Sequence, residues 1–113
     1  MKLKRIMELL NARPLTDVVD EELEINCACA SDMMSDVLAC PDELHCLITG
    51  LINQQVIRTA DMMDIGLVVF VRGKRPPAEV VEMARQRDMV VLVTRCRMFT
   101  ACGRLYQAGL GVR

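Results

Sequence analysis

Leu67-Val68-Val69-Phe70-Val71 runs straight into Arg72-Gly73-Lys74-Arg75 and then Pro76-Pro77. Five consecutive apolar residues, most of them β-branched, leave no polar face, so the segment predicts a strand buried on both sides. Such strands belong to parallel sheets, because helical crossovers cover both faces. The prolines fit the first turn of a helix, with Glu79 and Glu82 early and Arg85 and Arg87 late, as the helix dipole favours. Val90 to Val93 then predicts a second strand of the same kind.

The same rhythm extends outward. Residues 2–11 place Leu3, Ile6, Met7 and Leu10 on one helical face, with Pro14 beyond the end. Asp17 to Glu22 reads as an acidic loop. Glu24 to Ala30 alternates as a strand, with Ile25, Cys27 and Cys29 to one side and Asn26, Ala28 and Ala30 to the other. Ser31-Asp32 is read as the cap of a short helix from Met33 to Ala39, stopped by Cys40-Pro41. His45 to Thr49 is a strand, and Asn53 caps a helix carrying Val56, Ile57, Ala60 and Met63, ended by Gly66. Thr94 is read as the cap of a last helix over 96–108, closed by Gly109. The expected architecture is α/β: three layers, α/β/α, around a small, mostly parallel sheet, in one domain spanning residues 1–113.

Composition bounds the function. The 113 residues are 52% hydrophobic, 26% charged and 3% aromatic, with a net charge of −1 and a mean hydropathy of +0.25. A chain of this length buries roughly two thirds of its unfolded surface and folds without staples. The near-neutral balance and three aromatic residues argue against a nucleic-acid binder, which carries a basic excess or stacking platforms. The longest apolar runs, Ile65 to Val71 and Met89 to Val93, fall far short of the ~20 residues that span a bilayer. Glu8 and Asn11 interrupt any secretory leader. The expectation is a cytoplasmic protein with reduced thiols and no membrane partner.

Six cysteines occur, at 27, 29, 40, 46, 96 and 102, with no C-x-x-C pair. Zinc sites favour two to four intervening residues, so the plainer reading is packing thiols. Cys27 and Cys29 are the weak candidates for a metal or redox site. His45 next to Cys46 does not make a catalytic pair, since neighbours on a strand face opposite ways. P-loop, G-x-S-x-G and H-E-x-x-H patterns are absent from the sequence. No catalytic set emerges, no cofactor is implied, and the expectation is a non-enzyme.

Ligands of parallel sheets bind beyond the carboxyl ends of the strands. The residues there are Ser31 and Asp32, Thr49 and Gly50, Arg72, Gly73 and Lys74, and Thr94 and Arg95. Taken together, Ser31, Asp32, Thr49, Arg72, Gly73, Lys74, Thr94 and Arg95 form a candidate rim for a small anion. Against this stands the reading of Asp32 and Thr94 as caps and of the arginines as solvated. Charge is also polarised: residues 1–64 carry five Lys/Arg against twelve Asp/Glu (net −7), and residues 65–113 nine against three (net +6). This pattern fits pairing within the fold or across a dimer, or an anion near Arg72, Lys74, Arg75 and Arg95.

Three segments carry a resemblance. Ala30-Ser31-Asp32-Met33-Met34-Ser35-Asp36-Val37-Leu38-Ala39 is similar to the A-S-D-L-L-S-D-V-M-A stretch of the DRTGG domain. Gly66 to Pro76 resembles that family's strand followed by N-G-x-x-P, and Thr94 to Tyr106 resembles its closing strand and helix. The chain departs at the naming motif, where Leu23 to Cys29 stands in place of a D-R-x-x-G-G type sequence. The resemblance implies an α/β fold like the N-terminal domain of HPr kinase/phosphorylase and the DRTGG domain of CBS-domain pyrophosphatases. It also implies a regulatory, oligomerisation-type role as a homodimer, and a protein partner in redox or energy metabolism. Three functions follow in order: a non-catalytic regulatory module sensing a small anionic ligand, a nucleotide- or phosphate-binding sensor, and a Cys-based metal or redox protein.

Overall fold

The computed structural model describes residues 1–18 and 20–111. In chain order the elements are α1 (Leu3–Leu10), β1 (Arg13–Pro14), β2 (Ala28–Ala30), α2 (Met34–Leu38), β3 (Cys46–Thr49), α3 (Gln54–Met62), β4 (Leu67–Phe70), α4 (Ala78–Gln86), β5 (Val90–Val93) and α5 (Met98–Gln107). They form one five-stranded sheet, ordered β1-β5-β4-β3-β2, in which only β1 is antiparallel. The doubly apolar strand β4 sits at the centre, fully buried.

Register explains why both faces need cover. Leu47, Val68 and Val91 are in register across β3, β4 and β5 and belong to one apolar cluster, with Met34 and Val37 of α2, Val56, Ile57 and Ala60 of α3, and Val80 and Ala84 of α4. One residue along each strand, Ile48, Val69 and Leu92 face the other way, onto Leu3, Ile6 and Leu10 of α1 and Ala101 and Leu105 of α5. Three helices thus cover one face and two the other, which is the three-layer α/β/α arrangement read from the sequence. Among the described residues no helix is long and apolar enough to cross a membrane.

Several boundaries differ from the sequence reading. The strand expected over 24–30 shrinks to Ala28–Ala30 because the preceding backbone finds other partners. The Ile25 N–H donates to the Met1 carbonyl at 2.7 Å, and the Asn26 N–H to His45 Nδ1 at 3.0 Å. The break puts Ile25 in the α1/α5 layer, while Cys27 and Cys29 pack against the opposite layer, so the three do not share a face. The acidic loop is a loop, Val19 lying outside the described residues; its Leu23 and Glu21 carbonyls accept the first N–H groups of α1, each at 2.9 Å. The expected caps are also displaced. Ser31 Oγ accepts the Met33 N–H at 3.0 Å, one residue ahead of α2, and Asn53 stands at the start of α3 without a side-chain capping bond. Thr94 Oγ1 accepts the Cys96 N–H in a turn, whereas α5 begins only after Arg97. Beyond α3 the left-handed residue is Asp64 (φ 55°), two positions before Gly66.

Strand β1 has no signal in the sequence pattern. Two residues, Arg13 and Pro14, pair with Val93 and Leu92, and Thr16 continues the ladder with its side chain. The buried Thr16 hydroxyl donates to the Met89 carbonyl at 3.1 Å and accepts the Val91 N–H at 3.0 Å. Thr16→Val should therefore cost about 1–3 kcal/mol, the penalty for stranding buried backbone groups. Thr16→Ser should lose much less, and urea denaturation of both variants reads the difference.

Candidate functional site

The four parallel strands end at one rim, and each strand end contributes a turn there. After β4, Arg72 and Gly73 both adopt the left-handed conformation (φ 67° and 68°), which costs a non-glycine residue of the order of 1–2 kcal/mol. Two backbone bonds offset that strain. The Arg72 N–H donates to the Cys96 carbonyl at 2.8 Å and the Gly73 N–H to the Thr94 carbonyl at 2.9 Å, tying the β4 turn to the β5 turn.

With its backbone held there, Arg72 turns its guanidinium back across the end of β3. It lies so close over Gly50 that a Cβ at that position would fall 1.8 Å from Arg72 Nη2, so glycine is what admits it. Arg72 Nη2 meets Asp32 Oδ2 at 3.2 Å, while Asp32 Oδ1 accepts the Gly50 N–H at 2.7 Å and the Thr49 hydroxyl at 3.0 Å. These bonds hold the Asp32 carboxyl below its ordinary value; the Gly50 N–H is the largest cause, followed by Thr49 and the charges of Arg72 and Lys74 against an opposing desolvation.

The second half of the rim is a cavity of about 720 Å³ beside β1 and the ends of β4 and β5. Gly73, Lys74, Thr94 and Arg95 line it together with Arg13, Arg75 and Arg104, and no carboxylate is among its lining residues. Arg13, Lys74, Arg75 and Arg95 make no ion pair among the described residues. The floor is the end of α1. The Leu10 carbonyl accepts the buried Thr94 hydroxyl at 2.6 Å and the Cys96 thiol at 3.7 Å, and Arg104 Nη1 donates to the Leu9 carbonyl at 3.3 Å. Thr94 and Arg104 thus satisfy helix-end carbonyls as they shape the cavity wall.

The predicted rim is therefore two adjoining sites. Asp32, Thr49 and Arg72 are assembled in one; Gly73, Lys74, Thr94 and Arg95 in the other. Ser31 belongs to neither, its hydroxyl being turned onto Met33 in its own loop. Arg13 and Arg104 were not legible as site residues: Arg13 arrives on a two-residue strand, and Arg104 reads as an ordinary last-turn cation of α5.

Apart from Cys96, which lines the cavity, the thiols lie elsewhere. Cys46 is fully buried and its thiol is pushed up to about 12, chiefly by burial. Burial also raises the Cys29 thiol, with smaller contributions from Cys40, Asp36 and Cys102. Both shifts disfavour the thiolate, which is the form that binds metals and attacks electrophiles. Among the described residues no group of three or more His, Cys, Asp or Glu is placed to hold a metal ion. On the α1/α5 side of the sheet, the open edge of β2 and α5 enclose an apolar groove of about 480 Å³, lined by Ala28, Ala30, Ile48, Cys102 and two exposed aromatics, Phe99 (90% exposed) and Tyr106 (65%).

This α/β/α sheet is shared with a solved structure. The chain is similar to the crystal structure of the CBS and DRTGG domains of the regulatory region of a Clostridium perfringens pyrophosphatase, complexed with the activator diadenosine tetraphosphate. The TM-score is 0.73 at 18% identity, over 97% of this chain and 48% of the other, so this chain spans about half that structure's length. No family model matches the sequence, and no curated protein matches it. The likeness gives the fold: a DRTGG-like domain, as the three segments of sequence resemblance imply.

The depressed Asp32 carboxyl makes a pH prediction. A group held below its unfolded value, ordinarily 3.8, stabilises above that pH and stops doing so as the pH falls through the folded value. Asp32→Asn should be less stable than the parent at pH 7, with the gap closing below about pH 4. Urea midpoints at pH 7, 5 and 3 measure it, and a gap independent of pH would refute it.

Proposed function

We propose that this chain is a non-catalytic regulatory module that senses a phosphate-bearing anion, a nucleotide in the first instance, in the basic cavity. One observation carries the reading. Five cationic side chains line a single concave site that, among the described residues, holds no carboxylate, and none of the five has an ion-pair partner there. A fold normally disperses or pairs such charges, and gathering them unpaired suits a polyanion. The structurally similar pyrophosphatase region is regulatory and was crystallised with a nucleotide activator, which supports the same class of ligand here. Free thiols suit a reducing compartment, the cytoplasm.

Thermal melting against phosphate, acetyl phosphate, pyrophosphate and adenine and guanine nucleotides tests this reading. A ligand at 100 times its Kd stabilises by about 2.7 kcal/mol, or roughly 10 °C for a domain of this size. The shift should disappear in the double variant Lys74→Ala/Arg95→Ala and shrink steeply with added salt. No shift with any member of the panel would overturn the sensor reading.

A module without chemistry of its own acts through protein contacts. We infer a homodimer, supported by the open β2 edge and by the two exposed aromatics beside it. The partner beyond the dimer would be an enzyme of redox or energy metabolism, as the sequence resemblance implies. Sedimentation velocity should give two copies for the parent chain and one for Phe99→Glu/Tyr106→Glu; a parent that sediments as a monomer would exclude the dimer.

A further inference from the structure

At the end of β3 a small nest of donors, Thr49, Gly50 and Arg72, surrounds the Asp32 carboxylate; two of the donors belong to the strand end and the acceptor to a loop. Thr49 is fully buried, and its hydroxyl oxygen accepts the Leu51 N–H at 3.1 Å, which leaves its proton for an anion. The Gly50 N–H projects from the last turn of the sheet, and Arg72 is anchored through its own N–H to Cys96. The acceptor differs in its support: Asp32 arrives on the loop ahead of the five-residue helix α2, and its side chain and that of Arg72 are both partly exposed. Two donors held by the sheet, with an arginine whose backbone is anchored beside them, around a carboxylate carried on a loop have the form of an oxyanion site filled by a tethered ligand.

The nest also adjoins the basic cavity. Arg72 and Gly73 are consecutive in the same left-handed turn, one serving the nest and the other lining the cavity. Lys74, which lines the cavity, is close enough for its charge to act on Asp32.

We propose that Thr49, Gly50 and Arg72 form a second oxyanion subsite, for one phosphoryl group of an extended phosphate chain, and that Asp32 is its built-in competitor. A chain seated on Lys74 and Arg95 would reach over the Arg72-Gly73 turn and replace the carboxylate on the three donors. Asp32 would then swing out, releasing the β2–α2 loop from the ends of β3 and β4. The subsite thereby discriminates ligand length: a lone phosphate is satisfied in the cavity, and only a longer chain can compete with a tethered carboxylate. This rests on the cavity reading for the remainder of the ligand.

The test is amide NMR of the full chain titrated with inorganic phosphate, pyrophosphate and tripolyphosphate. Tripolyphosphate should shift the Gly50 and Leu51 amides together with Gly73 and Arg95, whereas inorganic phosphate should move only the latter pair. In Asp32→Asn, which removes the competing charge, tripolyphosphate should bind about five-fold tighter and inorganic phosphate alone should reach Gly50. Shifts confined to Gly73 and Arg95, with an unchanged affinity in Asp32→Asn, would overturn the subsite and leave the cavity reading standing. Shifts at Gly50 without any in the cavity would overturn the cavity reading and, with it, the two-site seating proposed here. Silence throughout, in the parent and the variant, would overturn both. The parent titration decides alone should Asp32→Asn fail to fold.

Discussion

Strand β4 has no polar face, and the rest of the molecule is arranged around that constraint. A strand apolar on both sides must be central and covered twice, so the chain places helices on both faces of the sheet. Crossovers between parallel strands then return each strand in the same direction, and β2, β3, β4 and β5 all finish at one rim. The polar turns gather there because the faces have no room for them. Burial of Leu67 to Phe70 and the collection of Asp32, Thr49, Arg72, Lys74 and Arg95 at one end are two results of the same topology.

At the rim a single arginine joins two neighbourhoods. Arg72 stands in a conformation that L-residues avoid, held by its N–H to the β5 turn and by its guanidinium to Asp32 beyond β3. Its left-handed backbone is what allows one residue to serve both: the peptide faces the cavity side and the side chain folds back over Gly50. Charge layout follows the same division. The acidic first half of the sequence supplies the carboxylate, and the basic second half supplies most of the cavity.

The layers and four of the five strands were legible because burial leaves a periodic mark on the sequence. Leu67 to Val71 and Val90 to Val93 announce doubly buried strands, and Leu3, Ile6 and Leu10 announce a helix with one apolar face. Where local pattern and tertiary partner disagree, the partner prevails. Glu24 to Asn26 alternate like a strand, yet Met1 and His45 take their hydrogen bonds, and Arg13 and Pro14 become a strand because β5 offers an unpaired edge. The site was legible only in part for the same reason. Residues at strand ends are named by topology, so Thr49, Arg72 and Lys74 could be chosen from the sequence. Arg13 reaches the cavity on β1 through its pairing with β5, and Arg104 through packing of α1 against α5; neither contact has a local signature.

The short strand β1 sets a limit on assembly. Of the sheet's two edges, one is closed by Arg13-Pro14, where the proline supplies no N–H to a further strand and the pairing runs for only two residues. The sheet can therefore be lengthened at β2 alone. A copy that pairs there about a two-fold axis uses the one extendable edge of each molecule, and the result is a closed pair with β1 at both outer ends.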